Sequence, residues 1–173
     1  MPVERPGAVT LEGKPLTLLG SEIKVGDRAP DFSVLANDMS EVSLSTDSGK
    51  VRLILSVTSL DTPICAAETR RFNEAAVQFQ DNVVIYLISC DLPFAQGRWC
   101  GAAGVGNLKT LSDHKNVNFG EAYGTLVKES RLLSRAIFLV DENDTVQYVE
   151  YVAEIGEHPN YDAVSEAVNK LAS

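Results

Sequence analysis

Two strongly apolar segments, with an amphipathic segment between them, constrain the fold of this chain most. The first, 51–57, reads Val-Arg-Leu-Ile-Leu-Ser-Val, and the second, 83–89, reads Val-Val-Ile-Tyr-Leu-Ile-Ser. Runs of this kind are typical of strands that are covered on both faces of a sheet. The residues between them have the length of a crossover helix. We therefore predict a βαβ unit with parallel strands and a right-handed connection.

The helix of this unit begins with Thr62-Pro63-Ile64-Cys65, and its cysteine is in an unusual place. The sequence predicts Thr62 at the N-cap, Pro63 at the first helical position and Cys65 at the third. In a capping box the third position carries Glu or Gln, because the free N–H groups and the helix dipole favour an acceptor there. A cysteine in such a place is favoured as the thiolate, which is the nucleophile. Cys65 is therefore a candidate reactive centre.

One face of the predicted helix is apolar and includes the cysteine. Cys65, Thr69, Phe72, Ala76 and Phe79 recur at spacings of three and four residues, which places them on one side of a helix. We expect this helix to continue to about Phe79 and this face to pack against the sheet. Cys65 would then lie at the sheltered end of a buried stripe.

The rest of the chain is predicted from periodicity and turn residues. We expect an N-terminal hairpin in 9–18 with its turn at 13–15, a short helix in 94–101, a hairpin of 136–140 with 146–152, and a closing helix in 161–171. A βαβ half followed by a hairpin and a terminal helix is the element order of a thioredoxin-like domain. We predict an α/β, thioredoxin-like fold with a central mixed sheet flanked by helices. It forms a single domain over 1–173, of which 1–20 is an added hairpin extension.

Charge and composition restrict the partners and the compartment. The formal net charge of −9 disfavours nucleic acid and anionic membranes, since both attract basic patches. No apolar run approaches the ~20 residues that cross a bilayer. The first residues contain no apolar signal core, and three cysteines do not match a stapled secreted scaffold. These features favour a cytoplasmic protein in which cysteine is redox-active, metal-binding or catalytic.

The spacing around Cys65 differs from that of a dithiol centre. Thioredoxin-type centres place Cys-x-x-Cys at this strand-to-helix junction, whereas this chain has Thr62-x-x-Cys65. A local dithiol–disulfide cycle is therefore excluded. A single activated thiol, with a hydroxyl three residues before it, suits oxidation by a peroxide to a sulfenic acid. At this level Cys65 can still be a buried structural cysteine behind an ordinary threonine cap.

Three motifs resemble those of one known family. They are Ser-Leu-Asp-Thr-Pro-Ile-Cys at 59–65, Asp-Leu-Pro-Phe-Ala-Gln-Gly-Arg-Trp-Cys-Gly at 91–101 and Ser-Arg-Ala-Ile-Phe-Leu-Val-Asp at 134–141. Together, and in this order, they resemble the bacterial thiol peroxidases, which are atypical two-cysteine peroxiredoxins. The resemblance extends over nearly the whole chain, including the N-terminal hairpin.

The resemblance implies a mechanism and a set of site residues. Cys65 would be the peroxidatic cysteine, Cys100 the resolving cysteine that forms an intrachain disulfide with it, and Arg135 the active-site arginine. Thr62 would supply a hydroxyl partner. The substrates implied are hydrogen peroxide and organic hydroperoxides, and the reductant implied is thioredoxin. A homodimer is also implied, and no bound cofactor or metal is required.

The chain departs from the family pattern at one position, and one cysteine has no role in it. Thr58 stands where the family pattern Pro-x-x-x-Thr-x-x-Cys has proline. Cys90 ends an apolar run and is interpreted as a small core residue. Two further hypotheses stay open: a hydrolase in which Cys65 pairs with His114 or His158, and a non-enzymatic redox sensor on the same fold. A metal site is disfavoured, because the cysteines and histidines lack the close pairs of zinc sites.

Overall fold

The structure is a computed structural model that describes residues 1–79 and 81–172. Its main layer is a seven-stranded mixed sheet in the order β10-β9-β5-β6-β7-β3-β4. The strands are β3 (Ser33–Leu35), β4 (Glu41–Ser43), β5 (Val51–Ser56), β6 (Val83–Ser89), β7 (Lys109–Ser112), β9 (Ala136–Val140) and β10 (Val146–Tyr151). The helices are α1 (Pro63–Ala75), α2 (Pro93–Ala103), α3 (Asn118–Ala122) and α4 (Tyr161–Ala172). This confirms the predicted thioredoxin-like α/β fold.

The βαβ unit lies at the centre of that sheet. β5 and β6 pair in parallel from Val51 with Val83 to Ser56 with Ile88, as predicted, and β9 pairs antiparallel with the other side of β5. Every residue of β5 is buried, as expected for a strand covered on both faces. The carboxyl end of this strand leads into the segment that carries Cys65.

Alternate residues of β5 divide the core into two layers. Leu53 and Leu55 pack with Phe72 of α1 and Val164 of α4 on one face. Ile54 packs on the other face in a cluster that is rich in aromatic side chains. Helices α1 and α4 thus cover the face of the sheet from which the cysteine site is built.

A second, three-stranded sheet carries the N-terminal hairpin. Its strands are β1 (Glu4–Leu11), β2 (Lys14–Leu19) and β8 (Leu126–Val127). The hairpin is confirmed, but its turn is at Glu12 and Gly13, both with positive φ (51° and 78°), and not at 13–15. A two-residue turn with left-handed backbone at both positions matches the twist of the strands, so Pro15 is placed inside β2.

The other boundaries differ from the predictions by a few residues. Helix α1 ends at Ala75 and is followed by a 3₁₀ turn, Ala76–Gln78, so the helical segment ends one residue before the predicted end at about Phe79. Phe79 itself is extended (φ −82°, ψ 156°), because the chain turns here to enter β6. No helix in the described part of the chain is long and apolar enough to cross a membrane.

Candidate active site

Cys65 is the third residue of α1 and is fully buried. Thr62 is at the N-cap with extended backbone, as predicted, but its hydroxyl donates to the Ser59 carbonyl oxygen at 2.8 Å and caps no helical N–H group. Pro63 contributes no N–H group at the first helical position. The N–H groups of this first turn therefore receive no side-chain cap. The partial positive charge at this end of the helix dipole therefore lies beside Cys65.

Arg135 provides the positive charge of the site. Its side chain is 2% exposed, and Nη2 lies 3.3 Å from Cys65 Sγ. Nε and Nη2 both donate to the Ile155 carbonyl oxygen, at 3.2 and 3.0 Å. These bonds fix the guanidinium plane at the start of β9. A thiolate at Cys65 therefore faces a preorganised cation.

Glu68 is a site residue that the sequence analysis missed. It is fully buried one turn after Cys65, and its Oε2 accepts a bond from Arg135 Nη1 at 2.5 Å. Arg135 is therefore held between a sulfur and a carboxylate. The available signal was the spacing, since a residue three positions after Cys65 lies on the same helix face. A charged residue on that apolar face predicts a buried ion pair.

The environment of Glu68 favours its protonated form more than solvent does. Burial raises the pKa of Glu68 to about 7, and Arg135 opposes this effect through its charge and its hydrogen bond. The carboxylate of Glu150 contributes to the rise of this pKa. Glu68 Oε1 has no hydrogen-bond partner among the described residues. Glu68 and a Cys65 thiolate thus face the same guanidinium. A negative charge on either group weakens the interaction of Arg135 with the other group.

Thr58, the departure from the family pattern, is anchored beside the arginine. Its hydroxyl donates to the Leu133 carbonyl oxygen at 2.9 Å. Leu133 lies two residues before Arg135, so this bond connects the end of β5 to the start of β9. A proline at this position would lack the hydroxyl and could not make the bond.

An apolar cavity of about 450 Å³ opens onto the site. Arg135, Thr62 and Pro63 line it. Most of its other lining side chains are apolar, and several belong to the N-terminal hairpin or to the segment before β9. They are Leu11, Leu16, Ile64, Val127, Leu132, Leu133 and Ile155. The cavity can hold the alkyl or aryl part of a small molecule whose polar end reaches Arg135.

Cys100 lies inside helix α2, which confirms the short helix predicted over 94–101. Its sulfur is half-buried and contacts Thr110 Oγ1 of β7 at 3.5 Å. Burial raises the pKa of Cys100, and the Thr110 hydroxyl opposes this effect. Both Cys65 and Cys100 are free thiols. Arg135 and Thr62 therefore line one cavity, Cys65 contacts Arg135, and Cys100 lies on a separate helix.

Cys90 is surrounded by groups that disfavour its thiolate. Burial, together with the nearby carboxylates of Asp113 and Asp91, raises the pKa of Cys90 to about 12. A thiol with such a pKa is almost entirely protonated at neutral pH and is a poor nucleophile. The environment of Cys90 fits the interpretation of this residue as part of the core.

The two histidines lie outside the contacts of Cys65. His158 Nδ1 bonds the Tyr161 hydroxyl at 2.7 Å, and His114 Nε2 is buried with no partner among the described residues. In the described part of the chain, the side chain that hydrogen-bonds Cys65 Sγ is Arg135 and no histidine does so. A hydrolase needs its base within hydrogen-bond reach of the nucleophile, so this geometry does not favour one.

Comparisons with known proteins identify the family of the chain. The Redoxin family model matches residues 24–165. The thiol peroxidase of Oceanobacillus iheyensis is 55% identical over 94% of this chain and 98% of its own length. The thiol peroxidase of Bacillus subtilis is 53% identical over 94% and 97%.

Solved structures give the same result. A peroxiredoxin-like protein from Aquifex aeolicus superposes with a TM-score of 0.89, at 39% identity, over 97% of this chain and 98% of its own. A thiol peroxidase from Chromobacterium violaceum superposes with a TM-score of 0.82, at 25% identity, over 94% and 95%.

Proposed function

The chain belongs to the Redoxin family and is a peroxiredoxin-type thiol peroxidase, and on this premise we propose that Cys65 is its peroxidatic nucleophile. The observation that carries the proposal is the contact of Cys65 Sγ with Arg135 Nη2 at 3.3 Å, in a buried site at the start of α1. The thiolate attacks one peroxide oxygen. An S–O bond forms, the O–O bond breaks, and the leaving oxygen takes a proton to become water or an alcohol. Cys65 is oxidised to the sulfenic acid.

Arg135 and Thr62 are the two residues proposed to act on the peroxide beside Cys65. Arg135 stabilises the thiolate and, with its remaining donor capacity, the negative charge on the leaving oxygen. Thr62 lines the same cavity, and its hydroxyl oxygen retains lone pairs that can accept a bond from the peroxide O–H group. We propose that these two residues orient the substrate against Cys65.

Cys100 is proposed to resolve the oxidised site. Its sulfur attacks the sulfur of the Cys65 sulfenic acid, water leaves, and an intrachain disulfide forms. The dithiol of thioredoxin then reduces the disulfide and is itself oxidised. Of the three cysteines, Cys90 is the least suited to this step, because its pKa is raised to about 12.

Replacing Cys100 separates the two half-reactions. Cys100→Ser should consume about one equivalent of peroxide at the wild-type rate, because the peroxidatic site is intact, but it should lose thioredoxin-dependent turnover. Peroxide consumption in a burst experiment, followed by steady-state NADPH oxidation with thioredoxin and its reductase, measures both steps. Cys90→Ser is the matched control and should retain both. Full turnover in the Cys100 variant would contradict the assignment.

The substrates are proposed to be hydrogen peroxide and organic hydroperoxides. Hydrogen peroxide needs only the polar end of the site, at Arg135 and Thr62. An organic hydroperoxide can also place its apolar part in the cavity of about 450 Å³ that these residues share.

A substitution at the edge of the cavity tests whether the cavity binds the apolar part of an organic hydroperoxide. Leu132 is 36% exposed at this edge. Leu132→Asn should lower kcat/KM for cumene hydroperoxide about five- to tenfold, because apolar contact with the substrate is lost. The kcat/KM for hydrogen peroxide should stay within about twofold of the wild-type value. Val77→Asn is the control, since Val77 is 71% exposed and lies outside the cavity lining. Equal losses for both peroxides in the Leu132 variant would contradict this use.

Steady-state turnover distinguishes the enzyme from a redox sensor on the same fold. A peroxidase consumes many equivalents of peroxide when thioredoxin, its reductase and NADPH are supplied. A sensor forms the disulfide once and stops. We propose sustained turnover, and a single stoichiometric oxidation would favour the sensor.

We further propose that the protein acts in the cytoplasm as a homodimer of single-domain subunits. Free thiols suit a reducing compartment, where thioredoxin is kept reduced. Leu92 and Phe94 at the start of α2 are 53% and 67% exposed, and such apolar side chains favour contact with a second subunit.

A further inference from the structure

One carboxylate connects the segments that precede the two cysteine-bearing helices. Asp91 lies between β6 and α2, and its Oδ1 accepts a bond from Ser59 Oγ at 2.7 Å. Its Oδ2 accepts bonds from the Leu60 N–H group at 2.9 Å and from Ser89 Oγ at 2.8 Å. Two of these three donors belong to the loop that leads into α1. Asp91 therefore holds the loop before Cys65 from a position just before the helix of Cys100.

The bonds continue from the loop into the first turn of α1. The Ser59 carbonyl oxygen accepts bonds from the Thr62 N–H group at 3.1 Å and from the Thr62 hydroxyl at 2.8 Å. Leu60, between them, is 3% exposed and packs in the core layer that includes Cys65. Fixing Ser59 and Leu60 therefore fixes the turn on which Cys65 is placed.

The same bonds also reach helix α2. Ser89 Oγ, which donates to Asp91, accepts a bond from Gln96 Nε2 at 3.0 Å. Gln96 is fully buried and lies one helical turn before Cys100. The Asp91 carbonyl oxygen accepts a further bond from Ser112 Oγ of β7. One polar cluster thus supports both cysteine-bearing helices.

A disulfide between the two helices requires this arrangement to open. Bridged cysteines have Cα atoms about 4.4–6.8 Å apart and sulfurs in bonding contact. In the reduced protein Cys65 Sγ instead contacts Arg135 at 3.3 Å, and Cys100 Sγ contacts Thr110 at 3.5 Å. Both contacts have to break, and the first turn of α1 has to move away from the arginine.

We propose that Asp91 is a positioning residue, a latch that keeps the Cys65 turn folded for peroxide reduction and limits the rate at which it opens to meet Cys100. This inference rests on the proposed function. It predicts a competition between two fates of the sulfenic acid. Condensation with Cys100 gives the disulfide, whereas a second peroxide oxidises a still-folded Cys65 to the sulfinic acid. A weaker latch shifts the outcome towards the disulfide.

Asp91→Asn tests the latch with little change of shape. The amide removes the negative charge and one of the two acceptor oxygens. Hydrogen exchange of the reduced protein should become about tenfold faster for the amides of 60–66, because charge-assisted bonds that hold this turn are lost. Exchange should also rise in 94–100, and the amides of β5 and β9 should be unchanged. At high peroxide, the ratio of disulfide to sulfinic acid should increase about threefold or more.

The matched control is Asp61→Asn. Asp61 is exposed in the same loop, and its carboxylate accepts no hydrogen bond in the described part of the chain, so the variant changes the charge without touching the latch. It should behave as wild type. Ser59→Ala, which removes one latch bond, should change exchange and product ratio in the same direction as Asp91→Asn, and it replaces that variant if Asp91→Asn does not fold.

Three results would overturn the latch. These are exchange in 60–66 equal to that of the Asp61 control, a uniform rise that includes β5 and β9, and a larger sulfinic fraction in the Asp91 variant. The exchange measurement uses reduced protein and needs no disulfide. If the wild-type protein forms no Cys65–Cys100 bridge, the proposed function fails, and the exchange result still decides whether Asp91 holds the Cys65 turn.

Discussion

Replacing Cys65 with serine should abolish peroxide reduction, with a loss of at least about 1,000-fold, because a serine hydroxyl is not ionised at neutral pH and is a far weaker nucleophile. The substitution changes one atom of a fully buried side chain, so the fold should persist. Initial rates of hydrogen peroxide consumption, with the circular dichroism spectrum as a check of folding, measure this effect.

Cys90→Ser is the control for the loss of a thiol as such. Its environment keeps Cys90 protonated, with a pKa raised to about 12, so its replacement should leave the rate within about twofold. A Cys65 variant that retains a tenth or more of the wild-type rate would contradict the assignment of the nucleophile.

Replacing Arg135 should have the second largest effect. Arg135→Met removes the cation whose Nη2 lies 3.3 Å from Cys65 Sγ. The second-order rate constant for hydrogen peroxide should fall by about 100-fold or more, because one preorganised, buried electrostatic contact is lost. Stopped-flow kinetics of the reaction with hydrogen peroxide measure this effect.

The Arg135→Met variant also affects Glu68, and a second substitution at Glu68 is its control. Arg135→Met leaves Glu68 fully buried without its cation, at a cost of about 3–5 kcal/mol in the free energy of unfolding. The double variant Arg135→Met with Glu68→Gln should recover most of the stability and none of the rate. Recovery of the rate with the stability would show that Arg135 acts only on the fold.

The sequence predicted the centre of the fold well because its signals there are strong. The runs at 51–57 and 83–89 form β5 and β6, and Thr62 with Pro63 marks the start of α1. Short elements were missed. β4 has three residues and β8 has two, and such lengths give no periodicity to detect. They form because neighbouring strands supply their hydrogen-bond partners.

The site was only partly predictable, because only some of its residues have a signal in the neighbouring sequence. Cys65 has a local signal, since its place at the third position of a helix can be read from neighbouring residues. Arg135, 70 positions away, is brought to Cys65 by the pairing of β5 with β9, and only the family resemblance pointed to it. Glu68 and Asp91 act through partners on other elements. Their burial and their hydrogen bonds exist only in the folded chain.

Peptide mapping of the wild-type protein after one equivalent of hydrogen peroxide tests whether Cys65 is oxidised and then bridged to Cys100. The reduced protein is treated, its remaining thiols are alkylated, and the digest is analysed by mass spectrometry without reduction. We expect one cross-linked pair that contains Cys65 and Cys100, lighter by two hydrogens than the separate peptides, with Cys90 alkylated. A bridge from Cys65 to Cys90, or a Cys65 found alkylated and not oxidised after the peroxide has been consumed, would contradict this expectation.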